Sequence, residues 1–203
     1  MTAKKTNHDR CTMPLVPMLE VLAKWRTDEV IISSMSAARE WIKFPEHPLD
    51  LIYLPSAMGQ PTSLGLGIAL SQPQRHIIVL VGDGSLLLNL SSLVTIAAAQ
   101  PKNLTLILLE NGVYEVTGSQ KTAAAQIGTS FPRLALAAGF KSVVSLSDLD
   151  VWQSQISATM QMDGPRFINL KIEPTLEDPH LPVPTEITAR LSRLQRTLGI
   201  GSR

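Results

Sequence analysis

Residues 76–85 read HIIVLVGDGS, and this stretch decides the fold class. It begins with an apolar run rich in β-branched side chains, which predicts a buried strand of a parallel sheet. The run ends at Gly82-Asp83-Gly84-Ser85, and residues 86–99, which follow, are rich in Leu and Ala and predict a helix. Asp83 is therefore expected where a strand passes into a helix, with outward-facing backbone N–H groups that form an anion site.

A second apolar run, residues 104–109, places Asn111 at the end of a neighbouring strand. Ligands bind at the carboxyl ends of strands in open α/β sheets, so Asp83 and Asn111 are expected to converge. Mg²⁺ combines a carboxylate with carbonyl oxygens, water and substrate phosphate. Gly82 and Gly84 leave room for the backbone to approach phosphate groups. Each half alone also fits a tight turn, but together they indicate a site for Mg²⁺ and a diphosphate.

Strands and helices alternate along the chain. Strands are predicted at 29–33, 51–54, 76–81, 104–109, 141–144 and 166–171, and helices at 13–25, 37–42, 61–70, 86–99, 131–138 and 148–160. This alternation predicts an α/β fold, a doubly wound parallel sheet with helices on both faces. We expect residues 1–12 to be a flexible N-terminus and 13–173 to form one domain.

Residues 174–203 are predicted to be a proline-rich arm followed by a helix. Apolar residues recur at helical spacing in this tail, with arginines between them: Ile187, Leu191, Leu194 and Leu198, and Arg190, Arg193 and Arg196. Such a stripe docks on the domain or on a partner. A nucleic-acid role for three arginines is not expected.

Composition favours a compact enzyme domain. The chain has 203 residues, 44% of them apolar and 17% charged, enough for one sizeable core. A formal net charge of +1 predicts partners that are neither nucleic acid nor membrane. The single cysteine, Cys11, excludes an internal disulfide and a four-cysteine iron–sulfur site, and it favours a reducing, cytoplasmic location. No transmembrane run or secretory signal pattern is recognised.

The spacing of the two half-sites resembles a known motif. GDG, then 26 residues, then a strand ending in Asn resembles the thiamine diphosphate binding motif. The wider segment 56–120 resembles the cofactor-binding (PP) chain or domain of thiamine diphosphate-dependent 2-oxo acid decarboxylases, more narrowly those that act on sulfopyruvate and phosphonopyruvate. The likeness covers roughly residues 12–175. It implies a PP domain over 13–173, with thiamine diphosphate and Mg²⁺ as cofactors.

The resemblance also assigns roles to individual residues. It implies that the Asp83 and Asn111 side chains and the Val113 carbonyl bind Mg²⁺, and that Gly84 and Ser85, with Gly82 beside them, contact the diphosphate. A large apolar residue that forces the cofactor into a V shape commonly falls 25 positions before the metal-binding Asp, where this chain has Met58. Met58 could instead fill a gap in the core.

Three serines are further cofactor candidates on the same grounds. The Ser56 carbonyl and the Met58 N–H would bond the aminopyrimidine ring. Ser33 and Ser36 belong to a loop that matches a small-residue turn against the diphosphate, although these hydroxyls could equally cap the helix that follows. The four histidines, His8, His47, His76 and His180, lack metal-ligand spacing and are expected to be structural or solvated.

Two glutamates depart from the pattern of the resembled family. Glu110 precedes the metal-binding Asn where relatives carry Asn or Asp; it could pair with a lysine or arginine, have a raised pKa, or point to the opposite strand face. Glu115 stands where relatives often have a small residue. We assign Glu115, Thr117 and Gln120 as catalytic candidates that line the substrate entrance, together with Met58 under the cofactor.

The resemblance implies that this chain forms only part of an active site. In the resembled family the catalytic glutamate belongs to a pyrimidine-binding (PYR) domain, and the residues outside the PP domain are too few to form one. We therefore expect an oligomer with a separate PYR chain that decarboxylates a 2-oxo acid, 3-sulfopyruvate first, to sulfoacetaldehyde and CO₂. Phosphonopyruvate decarboxylation or an acetolactate synthase-like carboligation are alternatives. A non-catalytic thiamine diphosphate-binding regulatory module is an alternative of another class.

Overall fold

The computed structural model describes residues 12–175 and 186–199. The predictions for residues 1–11, for most of the proline-rich arm, and for His8, Cys11 and His180 lie outside these ranges. Among the described residues, no helix has the length and apolar character needed to cross a membrane.

Six parallel strands form the central sheet in the order β2-β1-β3-β4-β8-β7. These strands are β1 Val30–Ser34, β2 Asp50–Tyr53, β3 Ile77–Gly82, β4 Leu104–Glu110, β7 Ser142–Leu146 and β8 Arg166–Lys171; β5 Val113–Tyr114 and β6 Gln120–Lys121 form a separate antiparallel pair. Every predicted strand is present, with each end within two residues of its predicted position. The small β5–β6 hairpin was not predicted.

Helices pack on both faces of this sheet, so the predicted doubly wound α/β fold is confirmed. They are α1 Leu15–Trp25, α2 Met35–Trp41, α3 Pro61–Ser71, α4 Asp83–Leu87, α5 Ser92–Ala99, α6 Ala123–Ile127, α7 Phe131–Ala138, α8 Leu149–Met160 and α9 Ile187–Thr197. Apolar side chains of α1, α2 and α8 fill the core on one face, and those of α3, α5, α7 and α9 fill the core on the other.

The prediction of one continuous helix over 86–99 was wrong. The structure has two helices, α4 and α5, with a turn at residues 88–91 between them. Asn89 explains the interruption, because its Nδ2 donates to the Gly59 carbonyl at 2.8 Å and to Ser63 Oγ at 3.2 Å instead of lying on a helix surface. Helix α4, which starts at Asp83 within the cofactor motif, consequently ends at Leu87.

The C-terminal helix docks on its own domain. Leu194 and Leu198 are buried in the same core as α3 and α5. Arg190, which the pattern placed between the apolar positions, is also buried and donates to the carbonyl oxygens of Ile52 and Leu54. Since β2 is an edge strand, α9 covers an edge that would otherwise expose unpaired backbone.

His76 gives the fold a testable pH dependence. Its Nε2 lies 2.7 Å from Thr105 Oγ1 and 3.3 Å from Arg166 Nη1. Burial, helped by the Arg166 charge, lowers the His76 pKa from 6.5 to about 4. The folded state therefore favours the neutral ring, and its contribution to stability is full above pH 6.5 and is lost as the pH falls from 6.5 towards 4, by up to about 3 kcal/mol.

Urea unfolding at about pH 7 and about pH 5 measures this loss. We expect the His76→Gln variant to lose less free energy of unfolding between the two pH values than the wild-type chain loses, because glutamine does not titrate. An equal loss in both proteins would show that other groups set the pH dependence.

Candidate cofactor site

A cavity of about 60 Å³ opens at the carboxyl ends of β1, β3 and β4. Its wall combines the start of α4, the β1–α2 junction at residues 34–37 and the β5–β6 hairpin with apolar side chains of Leu15, Leu109 and Ile172. Most of the predicted site residues line it: Ser36, Met58, Gly82, Asp83, Gly84, Ser85, Asn111, Val113, Glu115 and Thr117. The sheet thus brings together two half-sites that are far apart in the sequence.

Asp83 is the buried acid of this cavity, with 1% of its surface exposed. Thr122 Oγ1 donates to its Oδ2 at 3.0 Å. Burial raises the pKa of Asp83 to about 6, and the Glu110 charge adds to this, while hydrogen bonds from Thr122 and the Gly84 N–H oppose it. The hydrogen bonds to Asp83 offset only part of the cost of burying its charge, and a bound cation would offset the rest. Asp83 is therefore well suited to be a metal ligand.

Asn111 and Val113 supply oxygen atoms without charge. The Asn111 Oδ1 accepts the Val113 N–H at 2.9 Å, and Gly112, at φ 77°, makes the turn between them. The Thr122 N–H donates to the Gly112 carbonyl at 2.9 Å and ties this turn to the residue that bonds Asp83. One carboxylate, one amide oxygen and one carbonyl are the donor types that Mg²⁺ prefers.

The start of α4 also holds Met58 in place. Ser85 Oγ accepts the Gly59 N–H at 3.0 Å, so the loop that carries Met58 is tied to the helix N-terminus. A Cβ atom on Gly84 would lie 2.5 Å from ring carbons of Tyr114, so only glycine fits beneath that ring. The backbone N–H groups of Gly84 and Ser85 and the apolar Met58 therefore border one cavity.

The predicted loop at residues 33–37 is instead the junction where β1 passes directly into α2, and this junction is strained and faces a carboxylate. Met35 has φ 51°, a conformation that costs a non-glycine residue about 1–2 kcal/mol. Beside it, Ser36 Oγ donates to the Glu115 carboxylate, and the Thr175 N–H donates to the same group at 2.6 Å. Glu115 thus engages hydrogen-bond donors of the kind that an anionic ligand would use.

Three predicted site residues lie outside the cavity wall. Ser33 is fully buried, and its Oγ has no hydrogen-bond partner among the described residues. The Ser56 hydroxyl donates to Met35 Sδ at 3.4 Å, which places Ser56 against the strained first residue of α2. Gln120 is exposed and donates to the Thr117 carbonyl at 2.8 Å. Their assignment to the site stays a prediction.

Glu110 has a partner that the sequence did not suggest. Its Oε2 accepts from Asn169 Nδ2 at 2.7 Å, and it belongs to a different cavity from the one that Asp83 lines. Of the three possibilities left open, the structure favours an orientation away from the cofactor site. No lysine or arginine in residues 12–175 or 186–199 forms an ion pair with it.

Sequence reasoning missed three residues of this site. Thr122 bonds Asp83, Tyr114 covers Gly84, and the Thr175 N–H bonds Glu115. Thr122 carried a partial signal, because a threonine before a run of alanines predicts a helix N-cap, and Thr122 Oγ1 does accept the Ala125 N–H at 3.3 Å. Nothing local in the sequence indicates its second contact.

Comparison with known proteins identifies a family for this chain. Residues 32–170 match the family described as thiamine pyrophosphate enzyme, C-terminal TPP binding domain. The sulfopyruvate decarboxylase subunit beta of Methanothermobacter thermautotrophicus is 39% identical over 72% of this chain and 75% of its own length. The phosphonopyruvate decarboxylase of Streptomyces viridochromogenes is 32% identical over 76% of this chain but only 38% of its own length.

A solved structure shows the same fold. A Mycobacterium smegmatis protein, provisionally titled a thiamin diphosphate-dependent enzyme, superposes with a TM-score of 0.67 at 18% identity, over 80% of this chain and 32% of its own. The chain therefore corresponds to about a third of that structure and of the phosphonopyruvate decarboxylase, but to most of the beta subunit. By the extent of the sequence match, this chain belongs to the thiamine pyrophosphate enzyme family, as a C-terminal TPP binding domain.

Proposed function

We propose that this chain is the thiamine diphosphate- and Mg²⁺-binding subunit of a cytoplasmic 2-oxo acid decarboxylase, with 3-sulfopyruvate as its substrate. The convergence of Asp83, Asn111 and the α4 N-terminus on one cavity carries the proposal. The choice of substrate follows the extent of the matches: this chain covers 75% of a sulfopyruvate decarboxylase subunit beta but only 38% of a phosphonopyruvate decarboxylase.

The residues present fit both groups. Asp83, Asn111 and the Val113 carbonyl would hold Mg²⁺, and the N–H groups of Gly84 and Ser85 would donate to the diphosphate. Met58 would support the ring system from the apolar side of the cavity. When bound, thiamine diphosphate supplies the electron sink for loss of CO₂. The chain's own residues bind the cofactor, orient it and exclude water from the reaction.

Completion of the site would require a second chain. The 60 Å³ cavity is far smaller than the 300–1,000 Å³ of usual small-molecule sites. Among the described residues, Glu115 is the one glutamate in its wall, and its carboxylate is bonded by Ser36 and Thr175. A PYR chain would supply the catalytic glutamate and cover Val116, an apolar side chain of the same wall that is 38% exposed.

A two-chain assay tests the substrate. The chain and a PYR subunit, purified together with Mg²⁺ and thiamine diphosphate, should release CO₂ from 3-sulfopyruvate with a kcat/KM at least roughly tenfold above that for phosphonopyruvate or pyruvate. Either subunit alone is the control and should be inactive. A preference for phosphonopyruvate would move the assignment to the second candidate substrate.

Two other outcomes would replace the decarboxylase. Formation of acetolactate and CO₂ from two pyruvate molecules would identify a carboligase, because this product joins two keto acids instead of releasing an aldehyde. Tight cofactor binding without CO₂ release from any 2-oxo acid would support the non-catalytic regulatory module.

A further inference from the structure

A second cavity, of about 500 Å³, adjoins the cofactor cavity, and Asn111 and Ile172 line both. One wall consists of polar residues at the carboxyl ends of three strands: Glu110, Ser145, Asn169 and Lys171. The other wall is the connection from α6 to α7, residues 128–132, which ends in the first turn of α7. Its volume lies in the range of small-molecule binding sites.

The register of the sheet places the four polar side chains on one face. Glu110 of β4 pairs with Lys171 of β8, and Asn169 of β8 pairs with Ser145 of β7. Residues that pair across parallel strands share a face, as do residues two apart along one strand. Glu110, Lys171, Asn169 and Ser145 therefore form a single polar surface above the apolar core.

Asn169 has an unsatisfied acceptor at this surface. The residue is fully buried, and its Nδ2 donates to Glu110 Oε2 at 2.7 Å and to Ser145 Oγ at 3.1 Å. Its Oδ1 is buried and accepts no hydrogen bond from any residue that the structure describes. Rotation of the amide would turn Oδ1 towards a carboxylate that only accepts, so Glu110 fixes the orientation. A donor from a ligand would remove the cost of this orphaned oxygen.

The cavity also carries a positive end. Lys171 forms no ion pair or side-chain hydrogen bond among residues 12–175 and 186–199. The N-terminus of α7, capped by Ser130, adds the positive end of a helix dipole. A simple anion would meet the Glu110 carboxylate, and a simple cation would meet the Lys171 ammonium. A ligand that carries both charges satisfies both residues.

We propose that this cavity binds a free α-amino acid. The ammonium would donate to Asn169 Oδ1 and to Glu110, and the carboxylate would face Lys171 and the start of α7. Glu110 and Lys171 are register partners on neighbouring strands and line the same cavity, so they present opposite charges side by side to the ammonium and the carboxylate of one ligand molecule.

Binding there would be linked to the neighbouring site. Glu110 precedes Asn111, whose side chain lies at the proposed Mg²⁺ site, so occupancy of the second cavity should change the affinity for thiamine diphosphate, and the reverse must hold equally. Only this linkage rests on the proposed function; amino-acid binding itself does not.

Isothermal titration calorimetry on the full chain, without cofactor, tests the site. The standard α-amino acids are titrated at up to about 10 mM, with acetate and methylammonium as probes of each charge alone. We expect at least one amino acid to bind with a Kd of about 1 mM or lower and both single-charge probes to bind at least about tenfold more weakly. Lys171→Met and Glu110→Gln should each weaken amino-acid binding about tenfold.

Lys141→Met is the matched control, since Lys141 is an exposed lysine outside this cavity, and it should leave the Kd unchanged. Lys171→Gln replaces Lys171→Met if the latter fails to fold. The proposal is overturned if no amino acid binds, if the Lys171 and Glu110 variants bind as well as the wild-type chain, or if acetate binds as tightly as the amino acid. Linkage to the cofactor is measured separately by repeating the titration with Mg²⁺ and thiamine diphosphate.

Discussion

Replacement of Asp83 by alanine should weaken Mg²⁺-dependent binding of thiamine diphosphate at least about a thousandfold, or about 4 kcal/mol. Asp83 is 1% exposed and begins α4 at the edge where the diphosphate would lie. Burial raises the pKa of Asp83 to about 6, so the protein without a bound cation disfavours the charged form of this carboxylate. The negative charge of Asp83 is therefore stabilising only when a cation is bound. Asp83→Ala should weaken cofactor binding far more than it changes the stability of the cofactor-free chain.

The same argument separates binding from folding. Since burial of the Asp83 carboxylate is unfavourable without a cation, Asp83→Ala and the isosteric Asp83→Asn should keep the thermal midpoint of the cofactor-free chain close to that of the wild-type chain. Calorimetric titration of thiamine diphosphate with and without Mg²⁺ measures the loss. Asp150→Ala, which removes an exposed acid on α8, is the control and should bind normally. Tight Mg²⁺-dependent binding by Asp83→Ala would refute the metal assignment.

The sheet was predictable because each strand is encoded by a short run of consecutive apolar residues. Residues 77–81 and 104–109 are apolar runs of strand length, and two such runs separated by a helix leave few arrangements other than parallel neighbours. The break between α4 and α5 was not predictable in this way. It depends on Asn89, whose amide reaches the Gly59 carbonyl 30 positions away, so the sequence near residue 89 contains only half of the interaction.

The cofactor site was likewise predictable where its contacts are local in sequence, and not where they are long-range. Asp83 and Asn111 were found because the resembled motif fixes their spacing, and the Asx turn from Asn111 to Val113 is encoded within three residues. The Thr122 hydroxyl reaches Asp83 only because the β5–β6 hairpin folds back over α4. Glu115 was predicted to line the substrate entrance; in the structure it bonds Ser36 and Thr175, contacts that span 79 and 60 positions. Its role towards substrate stays a prediction.

Met58→Ala should lower kcat of the two-chain enzyme by roughly a hundredfold, the scale expected when a reacting group is displaced by about 1 Å. Met58 lines the cavity next to Gly59, whose N–H donates to Ser85 Oγ at 3.0 Å, so the backbone that carries Met58 is fixed relative to α4. In the proposed function, the Met58 side chain would then set the geometry of the cofactor rings. Its truncation should leave the Kd for thiamine diphosphate within about tenfold, because in the proposed function Asp83, Asn111 and the α4 N-terminus would still hold the diphosphate through Mg²⁺ and backbone N–H groups.

Two further measurements distinguish this role from that of a core residue. Met58→Leu keeps an apolar side chain of similar volume and should retain most of kcat. Met58 is only half-buried, so Met58→Ala should change the free energy of unfolding of the single chain by less than the 2–5 kcal/mol typical of a buried methionine. A large loss of stability with kcat preserved would show that Met58 fills a gap in the core and does not position the cofactor. The opposite result, kcat lost and stability kept, assigns the residue to the positioning of the cofactor.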